Sequence, residues 1–185
     1  MQGLSAVQLG VRLGATVIAA ASSDAKCAAA KAAGAHHTIN YSSLSQLKAR
    51  VLELTDGHMA DVIYEVVGGA VFKECIRCIA GNGRLLVIGF ASGDIPSVPA
   101  NLALVKGFSI VGVRSGQEMM EHPEITAEMI REMDAIASEG RDRSLAPVTV
   151  CCTPDRFRDA YNLILTKQIV GKACVLWQPE EKAKL

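Results

Sequence analysis

Short apolar runs alternate with helical patterns up to about residue 113, and glycines stand where the helices should stop. No other feature constrains the fold as strongly. Strands separated by helices of this length form right-handed strand–helix–strand units, which build a parallel sheet covered by helices on both faces. An opening helix stops at Gly14, and Ala15–Ala21 reads as a strand. A helix from Asp24 to Ala33 ends at Gly34, a residue suited to the turn after a helix. His37–Tyr41 is a short strand, and a helix at 44–55 places Leu44, Leu47, Val51 and Leu54 on one face before Gly57. Ala60–Val67 is a strand ending in Gly68-Gly69. A helix through Ile79 is closed by Gly81, and Arg84–Phe90 has the composition of a strand buried on both faces. A loop with Pro96 and Pro99 leads to the strand Phe108–Val113.

From about residue 120 the pattern changes. A helix at 123–139 begins with Pro123, turns Ile125, Met129, Met133 and Ile136 inward, and ends at Gly140. The strand Pro147–Cys152 leads to Thr153-Pro154, an N-cap followed by a first-turn proline. The helix at 154–166 is expected to bury Phe157, Tyr161, Ile164 and Leu165. Lys172–Trp177 is a last strand, and Gln178–Leu185 reads as a frayed, charged tail.

Composition narrows the class. Half of the 185 residues are hydrophobic and only 4% are aromatic, which suits an α/β chain better than a sandwich rich in Tyr and Trp. Nineteen basic residues balance nineteen acidic ones, so no net field draws the chain to nucleic acid or to a membrane. There is no secretory pattern and no apolar run of about 18 residues. The expectation is a soluble, cytoplasmic chain. Cys75 and Cys78 form a C-x2-C without a second pair at zinc-site spacing, and they share a helical pattern with Phe72, Ile76 and Ile79. With the adjacent Cys151-Cys152 and the isolated Cys27 and Cys174, they are expected to be reduced and mostly buried thiols, with no metal. His36, His37, His58 and His122 read as solvated or capping residues.

Ligands of parallel sheets bind at the carboxyl ends of the strands, near the switch in strand order. The residues there are Ser22-Ser23, Asn40-Tyr41, Val67-Gly68-Gly69 and Gly89–Gly93. Met1–Leu9 reads as the last glycine of a phosphate-binding turn, Gly3, running into a helix. The N–H groups at such a helix start suit a pyrophosphate. Gly3 alone would equally serve close helix–strand packing. At the end of strand 15–21, where an NAD-preferring site usually places an acid, stands Ser22, and Asp24 follows two residues later. Hydroxyls with the cation of Lys26 suit a 2′-phosphate and point to NADPH. The alternative is that Ser23 or Asp24 caps the helix and Lys26 is solvated.

The ordered series Gly3–Leu9, Leu13–Ala19, Gly34-Ala35, Ile39–Tyr41, Asp61–Tyr64, Val67–Gly69, Gly83–Gly93 and Ile95–Leu102 resembles the zinc-independent, zeta-crystallin-like quinone oxidoreductases of the medium-chain dehydrogenase/reductase superfamily. The resemblance extends to about residue 177 and is most specific over Gly83–Leu102. It implies a Rossmann-type parallel sheet, here expected to lack its first strand and most of its glycine fingerprint. Residues 1–145 are the expected dinucleotide-binding domain. Residues 146–185 resemble the segment that returns to a GroES-like substrate domain, and that domain's N-terminal part is expected to be missing from a truncated chain. The strands at 15–21 and 60–67 would normally flank the first strand, so either they close the gap or the sheet is split.

By resemblance, Ser22, Lys26 and Tyr41 contact the 2′-phosphate, Val67 lines the cofactor's path, and Gly89-Phe90-Ala91 lie beside the nicotinamide. With Gly3 and Ser23 these form the candidate cofactor-binding set, and no catalytic residue is assigned. The implied reaction is hydride transfer from NADPH to a quinone or enone, with the protein chiefly positioning the cofactor. The resemblance also implies a homodimer through Phe108–Val113, an apolar edge that would otherwise invite aggregation. A second reading is a catalytically inactive truncated product that retains at most cofactor binding or dimerisation with a full-length relative. A third, a methyltransferase-like Rossmann domain, fits the Ser22–Lys26 pattern less well.

Overall fold

The computed structural model describes residues 2–138, 148–166 and 168–177. Helix α1 (Gln2–Arg12) precedes strand β1 (Ile18–Ala21), helix α2 (Asp24–Ala32) and strand β2 (His37–Asn40). β1 and β2 pair in parallel, from Ile18 against His37 to Ala21 against Asn40. α2 is closed as its sequence requires: Gly34 takes φ +104° and donates its N–H to Lys31 O at 3.0 Å, a left-handed turn that an L side chain resists.

A 3-10 turn (Leu44–Gln46) leads into α3 (Leu47–Leu54), then β3 (Ala60–Glu65), α4 (Gly69–Cys78), β4 (Ile79–Val87), α5 (Ala100–Lys106) and β5 (Ser109–Gly112). These strands form a second parallel sheet in the order β3-β4-β5. Beyond it come α6 (Ser115–Glu121) and α7 (Pro123–Ser138). Strands β6 (Val148–Cys152) and β7 (Lys172–Val175), with α8 (Phe157–Leu165) between them, make a third, two-stranded parallel sheet.

The α/β class and the parallel pairing are as the sequence indicates, but the strands do not form one continuous sheet. β1 pairs with β2 only and β3 with β4 only, so each keeps an edge without a ladder partner among the described residues. Of the two outcomes open from the sequence, the structure takes the split. Side chains bridge the two halves: Ile39, Leu47, Val51 and Cys78 form one buried cluster, with Ile18 of β1 and Ile63 of β3 packed against it. The best-filled core lies beneath β3-β4-β5, where Phe72, Ile76, Ile79, Leu85 and Phe108 meet.

Several expectations need correction. α4 ends at Cys78 and the chain continues directly as β4, with Gly81 inside the strand; Asn82 takes φ +60°, and its N–H reaches Gly107 O at 2.6 Å. Leu85 is fully buried but Arg84 is exposed and Leu86 half-buried, so β4 is covered on one face better than on the other. The Pro96–Pro99 loop passes into α5, and α6 is a further helix that periodicity did not reveal. On α7, Ile125, Met129 and Met133 are exposed and Ile136 half-buried, because α6 is its main packing partner among the described residues. On α8, Phe157 is 50% exposed and Leu165 60%, with Tyr161 and Ile164 also exposed; Ala160 alone is buried. The stop at Gly140, the strand start at Pro147 and the tail Gln178–Leu185 lie outside the described residues. No described helix is long and apolar enough to cross a membrane.

Candidate cofactor site

At the carboxyl end of β1 the chain turns through Ser22 and Ser23 into α2. Ser23 is the N-cap: its backbone is extended and its Oγ accepts the Lys26 N–H at 3.4 Å. The capping role considered for Ser23 is therefore filled. Lys26, one turn into α2, reaches back so that its Nζ donates to Ser22 Oγ at 3.3 Å, and Ser22 is exposed. The nearby acid is engaged elsewhere, since Asp24 Oδ1 accepts from Asn40 Nδ2 at 2.6 Å while Asn40 Oδ1 accepts the Ser42 N–H at 3.0 Å.

Tyr41, the residue after β2, closes this corner. Its phenol hydrogen-bonds Ser22, and burial pushes it above its ordinary pKa while that hydrogen bond draws it partly back. At neutral pH it is a hydroxyl donor. Ser22, Lys26 and Tyr41 thus converge as two hydroxyls and one ammonium, with no carboxylate among them, a set that suits a phosphate dianion.

A second group forms at the ends of β3 and β4. Glu65 is 2% exposed, yet its carboxylate is well satisfied: Oε1 accepts the Val67 N–H at 2.7 Å, and both oxygens accept the Gly68 N–H at 3.0 Å. Charge-assisted bonds of this kind offset the cost of burying a carboxylate. They fix the turn in which Gly68 takes φ +79°, and a Cβ there would stand 2.6 Å from Asp94 O. The loop after β4 is laced to the same turn, with Ala91 N–H donating to Val66 O, Ser92 N–H to Val67 O and Gly69 N–H to Asp94 O. Phe90 and Ala91 are exposed at the strand ends while Val67 and Gly89 are half-buried, which leaves the Gly89–Ala91 run open to a ligand. The clamping residues Glu65 and Asp94 escaped the sequence reading. A carboxylate closing an apolar strand just before paired glycines was the signal for Glu65, and Asp94, which acts through its backbone carbonyl, had none.

The structure brings Tyr41 near both groups, within electrostatic reach of Glu65 and Cys75. Gly3 stands apart in the first turn of α1, exposed, where an added Cβ would meet nothing within 4 Å. Close packing therefore does not explain that glycine. Three of the four histidines have ordinary local roles: His36 Nδ1 accepts the Val17 N–H at 3.0 Å, His58 pairs with Asp61 at 2.8 Å, and His122 lies 3.5 Å from Glu124. Cys27, Cys75 and Cys78 are buried, but Cys151 is exposed and Cys152 and Cys174 only half-buried, against expectation. Burial, seconded by Glu65, lifts the Cys75 thiol to about 12, and burial with Glu74 lifts Cys78 to about 11, so both are protonated and unreactive at neutral pH.

Comparison with known proteins agrees with this fold. The sequence pattern of the zinc-binding dehydrogenase family matches residues 3–135. Among the described residues no three His, Cys, Asp or Glu side chains come together as a metal site. A quinone oxidoreductase-like protein 2 homolog of Nematostella vectensis is 36% identical over 173 residues, covering 94% of this chain and 47% of that protein. Quinone oxidoreductase-like protein 2 of Bos taurus is 39% identical over 140 residues, covering 75% of this chain and 40% of that one. Among solved structures, a mycobacterial protein complexed with NADPH superposes with a TM-score of 0.81 at 26% identity, over 94% of this chain and 52% of the other. Quinone oxidoreductase of Pseudomonas syringae superposes with a TM-score of 0.76 at 26% identity, over 94% of this chain and 53% of the other. The chain spans about half the length of the relatives it matches. It belongs to the zinc-binding dehydrogenase family, among the quinone oxidoreductase-like members of the medium-chain dehydrogenase/reductase superfamily.

Proposed function

We propose that this chain is the nucleotide-binding part of a reductase that passes a hydride from NADPH to a quinone or enone. The observation that carries the cofactor choice is the corner of Ser22, Lys26 and Tyr41, with Asp24 drawn aside by Asn40. An acid free to take a ribose 2′-hydroxyl would favour NADH; hydroxyls around an ammonium favour the 2′-phosphate. In this reading Ser22, Lys26 and the Tyr41 hydroxyl hold that phosphate, with Ser23 fixing the start of α2. Gly3 presents the helix start to the pyrophosphate. Val67, Gly89, Phe90 and Ala91 line the path to the nicotinamide, held in place by Glu65 and the Gly68 turn. The cofactor itself supplies the hydride, and the described residues bind and orient rather than donate protons.

Residues 1–145 then act as the cofactor-binding unit, and 146–185 as a segment that returns to a substrate-binding domain. The exposed face of α8 supports the latter assignment. Strand β5 lies at the edge of its sheet with Ile110 and Val111 exposed, as is Val113 just beyond it, which supports a homodimer paired along it; Phe108 belongs to the core instead. A cytoplasmic location goes with this reading.

Calorimetric titration of NADPH and NADH tests it. NADPH is expected to bind more tightly, and Lys26→Ala to weaken NADPH about 10- to 100-fold, the value of a charge-assisted hydrogen bond, with little effect on NADH. Equal affinity for the two cofactors would remove the 2′-phosphate assignment. The unpaired edges of β1 and β3 favour a second reading, in which the chain keeps cofactor binding or association with a full-length relative but not turnover. Binding without quinone reduction would select it.

A further inference from the structure

A groove of about 650 Å³ is lined by residues of α3, α4, α5 and the loop that leads into α5. Its rim carries Lys48, Lys73, Arg77 and Lys106, and its apolar floor includes Ile76 and Leu102. Two of the cations have local roles. Lys106 Nζ donates to Ile76 O, closing the last turn of α4, and Arg77 Nη1 holds both Glu74 oxygens at 3.0 and 3.2 Å. Lys48 and Lys73 have no carboxylate partner among the described residues. Partial burial holds the Lys106 ammonium below its ordinary pKa, and Lys48 and Arg77 push it in the same direction. Four cations from three helices therefore face one groove against a single paired carboxylate.

We propose that this groove binds a small organic anion, a phosphate-type dianion on an apolar body, with Lys48, Lys73 and Lys106 on the phosphate and Leu102 beneath the body. The volume falls within the range of small-molecule sites, roughly 300–1,000 Å³. Compact ammonium groups suit a tetrahedral dianion approached from several sides. None of the residues lining the groove belongs to the cofactor-binding set at the strand ends.

Methyl-resolved NMR of the full chain tests this, with phenyl phosphate, inorganic phosphate and benzyl alcohol as probes. Phenyl phosphate is expected to shift the Ile76 and Leu102 methyls saturably, more tightly than inorganic phosphate, while benzyl alcohol leaves them unmoved. Lys48→Gln with Lys73→Gln should weaken phenyl phosphate about 10-fold or more, and Lys48→Arg with Lys73→Arg should retain it. Absence of saturable shifts at these methyls would overturn the proposal. So would shifts confined to the cofactor edge, or binding indifferent to the glutamine pair. Inorganic phosphate binding as tightly as phenyl phosphate would overturn the assigned ligand class.

Discussion

Helices α4 and α8 are written in the same code and end in different surroundings. Both carry an apolar stripe at helical spacing, with Phe72, Cys75, Ile76 on one and Phe157, Tyr161, Ile164 on the other. α4 lies on the β3-β4-β5 sheet, where Phe72 is 2% exposed and Leu85 beneath it 0%. α8 connects the two short strands of the third sheet, and its rings are half in solvent, stacked on one another with centroids 5.8 Å apart. Periodicity states which face of a helix is apolar. The presence of a large enough opposing surface decides whether that face is buried.

The sharpest way to break this contrast is a matched pair of substitutions. Phe72→Ala should cost about 3–5 kcal/mol in a denaturant titration, the usual loss for a core phenylalanine. Gly68→Ala comes next, at about 1–3 kcal/mol of thermal stability, because φ +79° and the approach to Asp94 O both oppose a Cβ. An alkaline titration then sharpens the contrast at the α4 thiols. Cys75 and Cys78 have folded pKa values of about 12 and 11, above 9.0 in the unfolded chain, so their contribution is complete below pH 9 and is lost as pH climbs toward those values. Wild type should lose stability through this window at up to about 1.4 kcal/mol per pH unit for each thiol. A Cys75→Ala/Cys78→Ala variant should show a flatter midpoint-versus-pH curve. Ser23→Ala, which deletes the α2 cap, should lower the unfolding free energy by about 1 kcal/mol. The smallest effect is expected from Phe157→Ala, at most about 1 kcal/mol from the lost ring stack. A loss as large as that of Phe72→Ala would mean that the α8 face is covered in solution, and the contrast would fall.

Much of the fold was legible because its signals are local. The stop at Gly34 and the N-cap before Asp24 follow from backbone angles and from a hydroxyl one turn away from an N–H. The α3 face was legible for the same reason: Leu47 and Val51 recur at helical spacing and both are buried. The cofactor corner was legible in part. Ser22, Lys26 and Tyr41 were visible as strand-end residues, and the structure joins them by hydrogen bonds. Glu65 was not visible, because a carboxylate at a strand end reads as a solvated residue until the Val67 and Gly68 N–H groups turn toward it. α5 was hidden by prolines that precede rather than interrupt it, and Phe108 was grouped with the edge strand it leads into, although it packs into the core.

The sequence by itself determined the order and periods of the strands and helices, the parallel α/β class and the residue types gathered at the strand ends. These depend on side-chain spacing and on the angles open to glycine, and both are set within a few residues. Only the tertiary structure decided that β1 and β3 do not pair, that the stripes of α7 and α8 remain exposed, and that four cations meet over α4 and α5. Such outcomes depend on surfaces far apart in the chain. Burial, ladder pairing and charge clustering are properties of two surfaces together, and neither surface specifies them alone.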